Sequence, residues 1–140
     1  MKIHLQEKFG FYCLYREEGR SLYLLLRAAI KMKDTLEVNF NLIRTVSSDF
    51  LEESVGKLMK EFGKKQIYTY IKFMNLTENQ ERSIKFTIDF YYKYYHDEEY
   101  RYIIDAAFGK TINEELPSSG SKKVRKTGRQ PLQNFQRVVI

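Results

Sequence analysis

The chain has 140 residues, 24 basic and 18 acidic, for a formal charge of +6. An apolar content of 43% is enough for one packed core and argues against wholesale disorder, while no apolar run approaches the ~20 residues of a membrane-spanning helix. The opening MKIHLQEKFG holds no apolar segment of the secretory kind, and the single cysteine, Cys13, cannot close an internal disulfide, so a cytoplasmic protein is expected.

In chain order, Lys2–Gln6 and Phe11–Tyr15 alternate or cluster apolar residues and predict a short β-ribbon that turns near Gly10. Gly19 reads as a break. Leu22, Leu25, Leu26 and Ala29 then recur at helical spacing, which predicts an amphipathic helix over Arg20–Lys33. Leu36–Leu42 carries apolar residues at period two, the clearest strand. Phe50, Leu51, Val55, Leu58, Met59 and Phe62 mark a helix that ends at Gly63, read as its C′ residue.

Gln66–Phe73 is rich in β-branched and aromatic residues and predicts a strand. Thr77-Glu-Asn-Gln80 has the spacing of a capping box and opens a long helix to about His96. The spacing of Tyr100, Ile103, Ile104 and Phe108 favours a last helix over 97–108. The alternation of strands and helices predicts an α/β domain over residues 1–116. Its sheet is mixed, of about four strands, with helices mainly on one face, and Leu36–Leu42 lies beside Gln66–Phe73.

At Pro117 the composition changes. A Pro-Ser-Ser-Gly-Ser linker leads into Lys122, Lys123, Arg125, Lys126 and Arg129. Residues 117–140 hold six basic residues and no acid, so residues 1–116 balance 18 of each sign. The charge therefore describes a C-terminal extension, expected to be solvated, and not a basic domain. One reading makes it a weak, non-specific contact arm for nucleic acid. Its basic run carries no aromatic residue to stack on bases, so sequence-specific recognition is not expected.

The joint between the clearest strand and the next helix holds Asn39-Phe40, Ile43, Val46-Ser47-Ser48, Phe50 and Glu53, then Gly56-Lys57-Leu58 and Phe62-Gly63; Arg16 and Gly19 precede it. In this order and spacing the chain resembles the STAS-like family of uncharacterised bacterial proteins, distant relatives of the STAS domains of anti-sigma factor antagonists. The resemblance runs over roughly residues 9–95. Two positions depart from the pattern: Asn39 stands for an aspartate, and Asp49 for the last serine of the joint.

The resemblance implies a STAS-like fold and a role in signalling or regulation through a protein partner, an ATPase or kinase-like regulator. In the antagonists this joint carries a serine that a partner kinase phosphorylates, and Ser48 falls nearest to it. Ser47, Ser48, Asp49, Phe50 and Glu53 are thus the candidate partner-binding or phospho-acceptor residues. A phosphate at a helix N-terminus would add about −1.5 to −2 charges and could switch a binding face. The same residue types are also the preferred helix N-caps, and Asp49-Phe-Leu-Glu52 is itself spaced like a capping box.

Signals for catalysis are sparse. His4 and His96 are the only histidines, and Cys13 lies in an apolar run that suits a buried filler better than a nucleophile. No spacing suggests a metal or a cofactor. The aromatic residues of 86–102 exceed what one packing stripe needs. A second apolar face would cover the last helix or meet a partner, a second copy included. The expectation is a non-catalytic regulatory interaction domain, with the nucleic-acid arm as the alternative.

Overall fold

The computed structural model describes residues 1–109. These residues form five short strands and six helices. They are β1 (Lys2–His4), α1 (Leu5–Phe9), β2 (Tyr12–Cys13), α2 (Arg16–Lys31), β3 (Leu36–Asn39), β4 (Thr45–Val46), α3 (Ser48–Leu51), α4 (Lys64–Tyr70), β5 (Ile71–Met74), α5 (Glu78–His96) and α6 (Glu98–Phe108). A π-helical turn, Glu52–Gly56, continues α3.

The expected single mixed sheet is instead two small parallel ones. One has the order β1-β3-β5, the other pairs β2 with β4. Leu36–Asn39 pairs in parallel with Ile71–Met74, so the two predicted strands do lie side by side, each shorter than expected. The predicted ribbon does not form, because β1 and β2 lie in different sheets with α1 between them. Leu5, fully buried, draws that short helix into the core.

In the larger sheet Ile3, Val38 and Phe73 share a row, flanked by the buried Leu36–Ile71 pair. The neighbouring rows, Lys2-Glu37-Lys72 and His4-Asn39-Met74, are more exposed. One face is therefore covered and the other open, as alternation along a strand requires. The covered face and the helices enclose one core, which includes Leu22, Leu26, Phe50, Leu58, Met59, Ile67 and Ile88.

Three local expectations change. Gly19 lies inside α2, which begins four residues early, at Arg16, where the Glu18 carboxylate accepts the Tyr15 N–H at 3.4 Å. Residues 64–70 are helical, and only Ile71–Met74 is strand. Gly63 does not close the preceding helix in a left-handed conformation. With φ −86° it caps the start of α4, and the Gln66 side chain accepts its N–H at 3.0 Å. Ile67 and Ile71, one helical turn apart, are both buried, so a helical period serves the core where β-branched and aromatic content predicts a strand.

Elsewhere the chemistry behaves as expected. Thr77 and Gln80 close a reciprocal capping box at 3.1 and 3.0 Å, and α5 runs to His96. Asp97 caps α6, which Gly109 ends in a left-handed conformation, φ +81°. Ile84 and Ile88 of α5 face the core, with Tyr91 and Tyr95 partly buried against it. The second aromatic face, Phe86, Phe90 and Tyr94, stacks at 5.9 and 6.2 Å, and Tyr100 of α6 meets Phe90 edge-on. Packing on the last helix thus accounts for much of the aromatic surplus. The boundary at residue 117 lies outside the described residues.

Candidate functional site

The joint between β4 and α3 is built by two neighbours, the β2 segment and the start of α2. Parallel pairing of β2 with β4 sets Tyr12 beside Thr45 and Cys13 beside Val46. The ladder extends at both ends: Arg44 N–H donates to the Phe11 carbonyl at 2.8 Å, and Ser47 N–H to that of Cys13 at 2.9 Å. Ser47 is the N-cap of α3. Its hydroxyl accepts the Phe50 N–H at 3.0 Å and donates to the Leu14 carbonyl at 2.7 Å. Both of its bonding roles are used, and they tie the joint to the β2 segment.

Ser48 opens α3 and is only 8% exposed. Phe50 is fully buried, edge-on to Phe9 at 5.8 Å, so its side chain is a core anchor and offers no surface. Asp49 and Glu53 instead face an ion-pair cluster centred on Arg16. The guanidinium reaches Asp49 at 3.0 Å, Glu52 at 3.1 Å and Glu53 at 3.2 Å. Arg20 and Lys57 each add a contact to Glu53 at 3.3 Å. Partial burial works against the Arg16 charge, but Glu52 and Asp49 more than offset it and raise its pKa, with help from Glu53.

Gly19, one turn after Arg16, explains how α2 comes so near. A Cβ there would stand 2.6 Å from the Phe50 carbonyl oxygen and 3.0 Å from the Glu53 Cβ. The Arg16–Gly19 pair and the joint are therefore one construction: glycine admits the Phe50 backbone, and arginine clamps the carboxylates of the first turns. Gly56, at the end of the π-helical turn, does the same for α5, since a Cβ would meet Tyr91 at 3.0 Å.

The chain before α2 lines this joint with exposed aromatic rings. Phe11 is 44% exposed, Tyr12 50% and Tyr15 62%. The Arg44 guanidinium lies over the Phe11 ring, 5.7 Å from its centroid. Read as an apolar run, Phe11–Tyr15 concealed this surface. Only Cys13 of the five is fully buried, as a two-residue strand against a two-residue partner allows, and no pattern in the sequence marks that.

Cys13 itself is sealed. Burial, with Glu18 nearby, pushes its thiol up to about 12, which leaves almost no thiolate at neutral pH. His96 donates from Nε2 to the Met59 carbonyl at 2.7 Å and stacks near Tyr92, so its ring pins α5 to the turn after the π-helical segment. Among the described residues no group of three His, Cys, Asp or Glu side chains could hold a metal ion. No described helix is long and apolar enough to cross a membrane. Lys122, Lys123, Arg125, Lys126 and Arg129 lie outside the described residues.

Residues 18–81 match the model of a family described as a STAS-like domain of unknown function (DUF4325). The matched stretch runs from α2 to the first turn of α5, and so includes Gly19, the joint and the acidic cluster; Arg16 stands two residues before it. No curated protein and no solved structure matches the chain.

Proposed function

With residues 18–81 matching the model of the STAS-like family, we propose that this protein is a non-catalytic regulatory module that binds a protein partner at the joint between β4 and α3. The observation that carries this reading is the exposed aromatic trio, Phe11, Tyr12 and Tyr15, on a segment whose residues Phe11–Cys13 are tied by backbone hydrogen bonds to Arg44–Ser47. Large rings on a pre-ordered backbone give contact area at low entropic cost, and such residues dominate protein interfaces. Asp49, half exposed, supplies a charged rim next to them.

The partner is an ATPase or kinase-like regulator, as the resemblance to anti-sigma factor antagonists implies. Ser48 is the residue through which phosphorylation would act. Its burial means that the first turn of α3 opens before a kinase reaches the hydroxyl. The phosphate would then add negative charge where Asp49, Glu52 and Glu53 already share Arg16, and so disfavour the closed turn.

Co-purification of the full chain from its own cells tests this. A nucleotide-binding protein retained by the wild type should be lost at least ten-fold in Tyr12→Ala/Tyr15→Ala, reduced in Ser48→Glu and kept in Ser48→Ala, with each variant still melting cooperatively. Retention that ignores all three changes would refute the assignment.

A further inference from the structure

The segment from Phe40 to Val46 forms one wall of a cleft of about 330 Å³, and the first turns of α5 form the other. That volume is at the small end of the range for small-molecule sites, about 300–1,000 Å³. Its apolar lining includes Phe40, Leu51 and Ile84, each nearly or fully buried. The polar lining is selective. Gln80 has both ends of its amide engaged, donating to the Ile43 carbonyl at 3.1 Å and accepting the Thr77 N–H at 3.0 Å, so it is a fixed wall.

Ser83 differs. It lines the cleft and is only 9% exposed, yet its hydroxyl meets no hydrogen-bond partner among the described residues; the Thr87 hydroxyl bonds its carbonyl instead. A buried hydroxyl left unpaired carries the cost of its desolvation, so a polar atom in the cleft would meet a standing demand. Arg44 is the one charged residue in the lining, and no carboxylate among the described residues pairs with it. Thr77, Asn79 and Gln80 bring the positive end of a 19-residue helix to the same cleft. Two acids share that turn, Glu78 and Glu81. Neither lines the cleft, and Glu78 is paired with Arg82.

We propose that this cleft is a binding site for a small organic oxyanion, a carboxylate or phosphate on a short apolar body. The oxyanion sits with Arg44 and the start of α5, the body lies against Phe40, Leu51 and Ile84, and Ser83 bonds a polar atom of the ligand. This site is separate from the aromatic surface proposed for the partner, although Arg44 borders both.

Titration of the isotope-labelled full chain with inorganic phosphate, and separately with butyrate, followed by amide NMR shifts, tests it. At least one probe should give saturable shifts centred on Thr45, Gln80 and Ser83, and their relative affinities name the preferred oxyanion. Arg44→Gln should weaken binding about ten-fold, as loss of a charge-assisted bond implies. Ser83→Ala should weaken it about three-fold without lowering the melting temperature, because it removes an unpaired hydroxyl. Shifts scattered over basic residues elsewhere, shifts undiminished in Arg44→Gln, or none with either probe would overturn the site. The partner-capture variants do not touch Ser83, so the two readings fail independently.

Discussion

At the scale of single residues, burial decides what each candidate can do. Phe50 and Cys13 are fully enclosed, and Ser47 has spent its hydroxyl on two backbone groups. For Cys13 this has a pH signature. Its folded pKa, about 12, stands above the ordinary thiol value of 9.0, so the native state keeps its proton longer than the unfolded chain. The stabilisation is whole below about pH 9 and declines as pH rises towards 12. Denaturant titrations between pH 8 and 11 should show the loss, and Cys13→Ser should flatten it. Equal slopes would mean the thiol is not the group responsible. The tyrosines Tyr94 and Tyr95, also raised chiefly by burial, act in the same direction from about pH 10 upward.

Residue identity told a good deal here, and exposure very little. The types at the joint, serine, serine, aspartate, marked a helix start, and Ser47 caps one. Nothing in a linear string says that Phe50 turns inward while Tyr12 and Tyr15 stay out, since that depends on which strand pairs with which. Likewise Arg16 joins Asp49, Glu52 and Glu53 across more than thirty residues, a contact that only the approach of two helices creates.

At the scale of elements, the crossing of α2 over α3 and its π-helical turn positions the joint. Gly19 sets its distance and the Arg16 cluster its registry. Gly19→Ala presses a methyl group onto the Phe50 carbonyl, and overpacking of that kind costs about 1–3 kcal/mol. Chemical denaturation should show that loss, together with altered shifts at Asp49 and Glu53. A variant as stable as the wild type would mean the helices part without penalty. The same crossing explains the misread glycine: propensity treats glycine as a helix breaker, whereas here a neighbour's backbone needs the space.

Helix against strand was legible where a cap or a long period carried it, as in α5 with Thr77 and Gln80. It failed in residues 66–70. Their β-branched and aromatic content suggested a strand, but Gly63 and Gln66 begin a helix, and Ile67 packs one turn before Ile71. Tertiary packing overrode a propensity that is worth only fractions of a kcal/mol per residue.

At the scale of the whole molecule, the described residues form an α/β body with one covered sheet face and one open. Of the six exposed aromatic residues among those described, Phe11, Tyr12 and Tyr15 gather at the edge where β2 meets β4, while Tyr68, Phe86 and Tyr102 are spread over α4, α5 and α6. The open face is polar, with Lys2, Glu37 and Lys72 in one row, and suits solvent. The asymmetry gives the molecule one aromatic-rich edge next to its family-matched joint, and the central claim is that the partner binds there.

Site-specific photo-crosslinking tests that claim most directly. A benzophenone side chain is placed at Tyr12 in one protein and at Lys72, on the open face, in another, and each is irradiated in the protein's own cells. One discrete adduct should form from position 12, fade with Asp49→Lys and be missing from position 72. Equal adducts from both positions, or an adduct from position 12 indifferent to Asp49→Lys, would contradict it.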